Sequence, residues 1–253
     1  MAPSKTISGA STGIVKTDPA LSGVNIGKAV EFFTSLDIAP RTREASDAKP
    51  VRRWQDDIIE TEIPEGASVL DLGCNGGELL LRLMKKKLAR VQGVELSTDS
   101  VSKCVEKGVP VFQADLDEGL KGFPDASFDY VVLEETLQTL HRPMTVLKEM
   151  LRVGRRGIIS FPNFGFWRVR MELALGGRMP VTDWLPYRWH DTPNIHLFTV
   201  QDFLDWTHTA DVRVVKGFAY ASGSVREASE DDNLYAEEAL YIVEAKNRAG
   251  RAD

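Results

Sequence analysis

The feature that most narrows the fold is a rhythm. Short runs rich in β-branched residues, SVLDL, VQGVEL, VPVFQAD, FDYVVLE and RGIISFP, are separated by segments of helical spacing, GELLLRLMKKKL, STDSVSKCVEKG and PMTVLKEMLRVG. A strand that is apolar along its length needs cover on both faces, and strands joined through helices pair in parallel. Two further β-like runs, VRVVKGFAYAS and EALYIVEAK, follow the helical pattern of TVQDFLDWTHTA. The rhythm therefore predicts an α/β protein built on a doubly wound, mostly parallel, Rossmann-like sheet of seven strands.

The rhythm also divides the chain. Residues 1–50 read as a flexible extension, because the first half of it lacks aromatic residues and cannot bury enough surface to offset ordering entropy. Within it GKAVEFFTSLDIA, Gly27 to Ala39, could form a short amphipathic helix. The ordered domain, 51–253, is expected to begin with a helix that uses Val51, Trp54, Ile58 and Ile59 and stops before Pro64 and Gly66. Residues 163–198, rich in Trp, Tyr, Pro and Arg, interrupt the alternation. They read as an insertion after the fifth strand, leaving the sheet edge where open α/β folds bind ligands.

Composition excludes several classes. No run approaches the roughly 20 apolar residues of a membrane span, and a secretory pattern is lacking at the N-terminus, so a cytoplasmic location is expected. The two cysteines, Cys74 and Cys104, fall in ordinary α/β elements and read as thiols. A formal charge of -6 argues against general nucleic-acid binding. Seven arginines lie between Arg152 and Arg188, and acids cluster from Glu227 to Glu238. Such runs are either solvated faces or surfaces for an anionic substrate or a partner.

The stretch VLDLGCNGGELL carries the main functional signal. Gly73 and Gly77 let the chain turn tightly at a helix start, where unpaired N–H groups can meet a ligand. The turn is shorter than a dinucleotide fingerprint and lacks the Lys-Ser/Thr of a P-loop. Glu95 ends the second apolar run, where an acid can accept from both hydroxyls of a ribose, and Asp115 ends the third, where it could accept from an adenine amino group. Taken singly, these residues can equally be turn glycines and helix N-caps. Together, on three successive strand ends, they point to an adenosine-type ligand.

The sequence resembles class I S-adenosylmethionine-dependent methyltransferases, whose loop motif is D-x-G-x-G-x-G. More closely it resembles the MetW family of methionine biosynthesis proteins, through DLGCNGGELL, DLDEGLKGFPDASFDYVVLEETLQ, EMLRVGRRGIISFPNFGFWRVR, GRMPV, LPYRWHDTPNIH and TVQDF. The resemblance implies a site for S-adenosylmethionine or S-adenosylhomocysteine. Asp71, Gly73 and Gly77 would line its amino-acid end, Glu95 its ribose, and Asp115 and Leu116 its adenine, with Cys74, Asn75 and Leu96 completing the set. It also implies association with a homoserine O-acyltransferase. Two positions depart from the pattern: Asn75 replaces the middle glycine, and Glu134-Glu135 stand where smaller or amide side chains are expected. Asparagine tolerates a left-handed backbone, so the turn can survive, although its side chain takes up space.

Methyl transfer relies on positioning and needs a base only when the acceptor loses a proton. Candidate acceptor-side groups are Glu134, Glu135, His141, Asn163, Tyr187, His190, Asp191 and His196, each with a structural alternative as a capping, solvated or hydrogen-bonded residue. No set of His, Cys and Asp has the spacing of a zinc site. Three functions stay open: a cofactor-binding modulator of an acyltransferase, an active small-molecule methyltransferase, and a scaffold with a degenerate site.

Overall fold

The computed structural model describes residues 53–246. The extension, its Gly27–Ala39 helix and the expected helix position of Val51 lie outside the described residues. The domain opens with α1 (Trp54–Glu62), β1 (Ser68–Leu72), α2 (Glu78–Lys87), β2 (Arg90–Glu95), α3 (Thr98–Glu106) and β3 (Val111–Gln113). Then come β4 (Phe128–Glu134), α4 (Pro143–Val153), β5 (Gly154–Pro162) and α5 (Trp167–Gly176). It closes with α6 (Val200–Thr209), β6 (Val212–Ala221), β7 (Ser224–Glu227), α7 (Asp232–Tyr235) and β8 (Glu238–Ala245).

The strands form one sheet in the order β3-β2-β1-β4-β5-β8-β6-β7. The five from β1 to β5 pair in parallel, while β8 lies antiparallel between β5 and β6. The order reverses between β1 and β4, which opens a crevice at their carboxyl ends. Alternating side chains feed two cores, as the strand period requires. Leu70, Leu72, Val131 and Leu133 pack with Val146, Leu147 and Met150 of α4, whereas Val69 and Val132 pack with Ile59 of α1 and with Leu79, Leu80 and Leu83 of α2.

The sheet has eight strands, one more than expected. After β6, Ser222 (φ 51°) and Gly223 (φ 84°) both take left-handed backbones, the pattern of a tight two-residue hairpin whose twist matches its strands. The chain folds back as β7, pairing Ala221 with Ser224 and Phe218 with Glu227. All four β7 residues are exposed, so this edge strand has no buried face and leaves no apolar alternation in the sequence. Between β5 and α6 the chain forms α5 and then runs without strands to Thr199, which caps α6 through reciprocal bonds with Asp202.

Candidate functional site

The glycine turn fills the crevice beside the carboxyl end of β1. Its path needs left-handed backbones at Gly73 (φ 83°), Asn75 (φ 46°) and Gly77 (φ 77°), so Asn75 adopts the conformation that the missing glycine would take. Gly73 also allows a close approach, since a Cβ there would lie 2.7 Å from Thr136 Oγ1. The turn is tied to β2: Gly73 N and Cys74 N donate to Val94 O at 2.8 and 3.2 Å. The Asn75 side chain is exposed, and its Nδ2 lies 3.5 Å from Gly73 O.

Glu95, at the end of β2, is 9% exposed and accepts from Asn75 N at 2.9 Å and Ser97 N at 2.8 Å. One oxygen faces the turn and the other the start of α3. A carboxylate has about four acceptor positions, so these two bonds aim the group and leave capacity for a vicinal diol. That donor-acceptor balance fits a ribose. Leu96 beside it is 63% exposed and offers an apolar surface.

Strand β3 stops at Gln113, short of Asp115, although Ala114 N still donates to Glu95 O at 3.1 Å and keeps the acid beside the crevice. Asp115 caps a 3-10 turn over Leu116–Glu118, accepting from Asp117 N at 2.9 Å. The local capping role therefore holds for one oxygen, and the exposed second one remains an acceptor. Leu116 is buried in the core.

A cluster of carboxyl groups lies across the ends of β1, β4 and β8. Burial raises the Asp71 carboxyl to about 7, with Asp56 and Glu95 adding to the effect and Arg53 opposing it. Burial likewise raises Glu134 to about 8 despite Arg53, whose Nη1 lies 3.3 Å from Glu134 Oε1. Glu135 holds a left-handed backbone (φ 48°) and accepts from Gln55 Nε2 at 3.1 Å. Gln55 Nε2 also reaches Glu238 Oε2 at 3.2 Å, and Trp54 Nε1 donates to the same oxygen at 2.6 Å. Burial, with the neighbouring Glu135 next, pushes Glu238 well above the usual carboxylate range.

The remaining candidates are spread more widely. Asn163 is 1% exposed, and its amide is fully engaged: Nδ2 donates to Asp232 O and Ala236 O, while Oδ1 accepts from Gly165 N and Val200 N. These bonds tie β5 to α6 and α7 and leave no capacity for a substrate. His141 is exposed, with its backbone N–H on Asp117. His190 is exposed against Trp189, Tyr187 is exposed, and Asp191 accepts from Arg188 N. His196 returns to the site by donating its backbone N–H to Gln138 O at 3.0 Å. Its Nε2 is buried and finds no hydrogen-bond partner among the described residues, as do Gln55 Oε1 and Gln138 Oε1.

Arg53, Trp54, Gln55 and Glu238 were not legible as site residues. Gln55 meets Glu135 and Glu238 across 80 and 183 positions of sequence, and the one local signal was a polar residue, Gln55, within the buried stripe of a helix. Cys74 and Cys104 are buried free thiols with sulfurs 4.0 Å apart, and burial raises both above the usual thiol range. Among the described residues, no group of three or more His, Cys, Asp or Glu is placed to hold a metal, and no helix is long and apolar enough to cross a membrane.

A family model described as methionine biosynthesis protein MetW matches residues 53–243. The bifunctional methionine biosynthesis protein MetXA/MetW of Rhodopirellula baltica is 35% identical over 205 residues, which cover 77% of this chain and 33% of that relative. The chain thus spans about a third of the length of that curated relative. Among solved structures, a TehB-like SAM-dependent methyltransferase from Corynebacterium glutamicum superposes with a TM-score of 0.54 at 17% identity, covering 90% of this chain and 100% of that one. The [4+2]-cyclase SpnF superposes with a TM-score of 0.55 at 16% identity, covering 87% and 95%. The first likeness shows the fold of a SAM-dependent methyltransferase and the second shows that a cyclase shares it, so the fold by itself does not fix a reaction.

Proposed function

The chain belongs to the MetW family of methionine biosynthesis proteins, and on that premise we propose that it binds S-adenosylmethionine or its demethylated product and modulates a homoserine O-acyltransferase. The observation that carries the cofactor reading is the Glu95 carboxylate, aimed by Asn75 N and Ser97 N with acceptor capacity to spare. In this reading Glu95 receives the ribose hydroxyls, Asp115 the adenine amino group and Leu96 a face of the base. The turn over Gly73, Cys74, Asn75 and Gly77, with Asp71 beneath it, meets the amino-acid end. When bound, S-adenosylmethionine supplies an electrophilic methyl group on a sulfonium.

The regulatory part is supported by the family and by the bifunctional relative, whose name joins MetXA and MetW in one protein. A ligand that reports the supply of methionine can bias whichever conformation meets the acyltransferase, provided that it binds the two conformations unequally. Titration calorimetry with S-adenosylmethionine and S-adenosylhomocysteine tests the cofactor reading, and absence of heat for both removes it. Acyltransferase turnover with and without this protein tests the partner reading. No association and no rate change would remove that part alone.

One observation favours a second reading, an active small-molecule methyltransferase. Glu134, raised by burial to about 8 and set beside the glycine turn, is mostly protonated at pH 7, and the fraction that ionises there is a base strong enough to take a proton from an acceptor. Labelled S-adenosylmethionine incubated with cell extract then marks an acceptor. Persistent absence of label, in the presence of measured cofactor binding, excludes the catalyst.

A further inference from the structure

Buried side-chain polar atoms without a partner are costly and rare, and here they are not scattered. Among the described residues they are Gln55 Oε1, Gln138 Oε1 and His196 Nε2, and all three residues belong to one hydrogen-bonded string around Glu135. Gln55 Nε2 donates to Glu135 Oε1 at 3.1 Å, Gln138 Nε2 donates to Glu135 O at 2.7 Å, and His196 N donates to Gln138 O at 3.0 Å. These bonds also fix which way each amide points. Both nitrogens are turned to acceptors, so both oxygens are the ends left open. Gln55 is 1% exposed and Gln138 5%, which keeps the two oxygens from bulk water.

Glu135 is itself held under strain. It directly follows β4 with a left-handed backbone (φ 48°), pinned by its N–H to Ser160 O at 3.1 Å, and such backbones gather at ligand sites. Its side chain is 28% exposed, so the string opens to solvent at this carboxylate. Glu134 lies next to it in sequence and Glu238 lies across Gln55, and Arg53 is the cation that opposes burial at both. Arg53 also comes within 3.6 Å of Glu135 Oε2, so one guanidinium serves three carboxyl groups. An anion would add to that excess, and a hydroxyl brings a single donor. A primary ammonium brings three donors, no acceptor and the missing charge.

We propose that Glu135, with Gln55 Oε1 and Gln138 Oε1 beside it, binds the ammonium group of a small primary amine. One carboxylate and two amide oxygens match the three N–H donors of such a group, and the neutral His196 ring adds an acceptor when its proton sits on Nδ1. The next residue, Thr136, packs on Gly73, so the seat adjoins the glycine turn without being part of it. The inference does not depend on the cofactor reading.

The test titrates the full chain near neutral pH with butylammonium chloride, butan-1-ol and butyltrimethylammonium chloride. Calorimetry and tryptophan fluorescence read it, since Trp54 shares Glu238 with Gln55. Butylammonium is expected to bind at least about tenfold more tightly than either, because the alcohol lacks the charge and the trimethyl cation lacks N–H donors. Glu135→Gln keeps an acceptor for Gln55 Nε2 and is expected to weaken butylammonium about tenfold while leaving butan-1-ol unchanged, with thermal melting to establish that the variant folds. Unchanged butylammonium affinity in the folded variant would overturn the proposal. So would equal affinity for the three probes, or no saturable signal up to about 50 mM butylammonium with the unaltered protein. Saturating S-adenosylhomocysteine should leave butylammonium binding unaltered; competition would assign the seat to the cofactor's own α-ammonium and overturn the proposal. If S-adenosylhomocysteine gives no heat, the cofactor reading alone fails, and the amine titrations still decide.

Discussion

Replacing Glu134 by Gln tests the most unusual electrostatic feature of the site. The carboxyl ends β4, its side chain is 9% exposed, and its nearest cation is Arg53 at 3.3 Å. Burial raises its pKa from the ordinary 4.5 to about 8. The native state then holds the proton more tightly than the unfolded chain does. The corresponding stability is fully present below about 4.5 and is lost as pH rises through about 8. At about 1.4 kcal/mol per tenfold in acidity, the loss is under about 1 kcal/mol at pH 5 and about 3 kcal/mol at pH 7. Glutamine mimics the protonated form at every pH and can still accept from Arg53. Glu134→Gln should therefore match the unaltered protein at pH 5 to within about 1 kcal/mol and exceed it by about 3 kcal/mol at pH 7. For a domain of this size that corresponds to roughly 6–12 °C in melting temperature. Urea unfolding of both proteins at several pH values from 5 to 8 gives the difference directly. A difference that does not vary with pH, or a variant less stable at pH 7, would refute the argument that burial outweighs Arg53.

Glu95→Ala should weaken S-adenosylmethionine binding by about 1–3 kcal/mol in calorimetry; an unchanged affinity would remove the ribose assignment. Asn75→Gly keeps the left-handed turn and removes the amide lying over Gly73 O, so cofactor affinity should rise a few-fold, and no increase would show that the amide does not compete for that carbonyl. Gly73→Ala places a Cβ 2.7 Å from Thr136 Oγ1, which is itself held on Glu134 O at 2.9 Å, at a backbone with φ 83°. It should cost about 2 kcal/mol of stability in urea unfolding, and a neutral result would mean that the turn relaxes freely. Asn163→Ala deletes four buried hydrogen bonds and should cost about 3 kcal/mol or more in the same measurement, whereas a change below about 1 kcal/mol would deny its bracing role.

Much of the fold was legible because its signals are local. The apolar strands β1, β2, β4 and β5, the helices between them and the left-handed tolerance of Asn75 all follow from side chains within a few residues of one another. So does the position of Glu95 at a strand end. The short edge strand β7 escaped notice because none of its side chains is buried, and α5 because its apolar residues, such as the exposed Leu173 and Leu175, do not form one buried stripe. For Asn163 the motif gave no hint that its amide would be consumed by α6 and α7.

The sequence by itself determined the doubly wound α/β order and the glycine turn at its first strand, since hydrophobic period and backbone sterics act over short distances. Only the tertiary structure decided which acids are raised by burial, how Gln55 joins Glu238 to Glu135, and that the unpartnered atoms of Gln55, Gln138 and His196 fall on one hydrogen-bonded string. Desolvation and charge coupling depend on which remote segments exclude water from a group, and that is settled only when the sheet closes beneath α1 and the segment after β5.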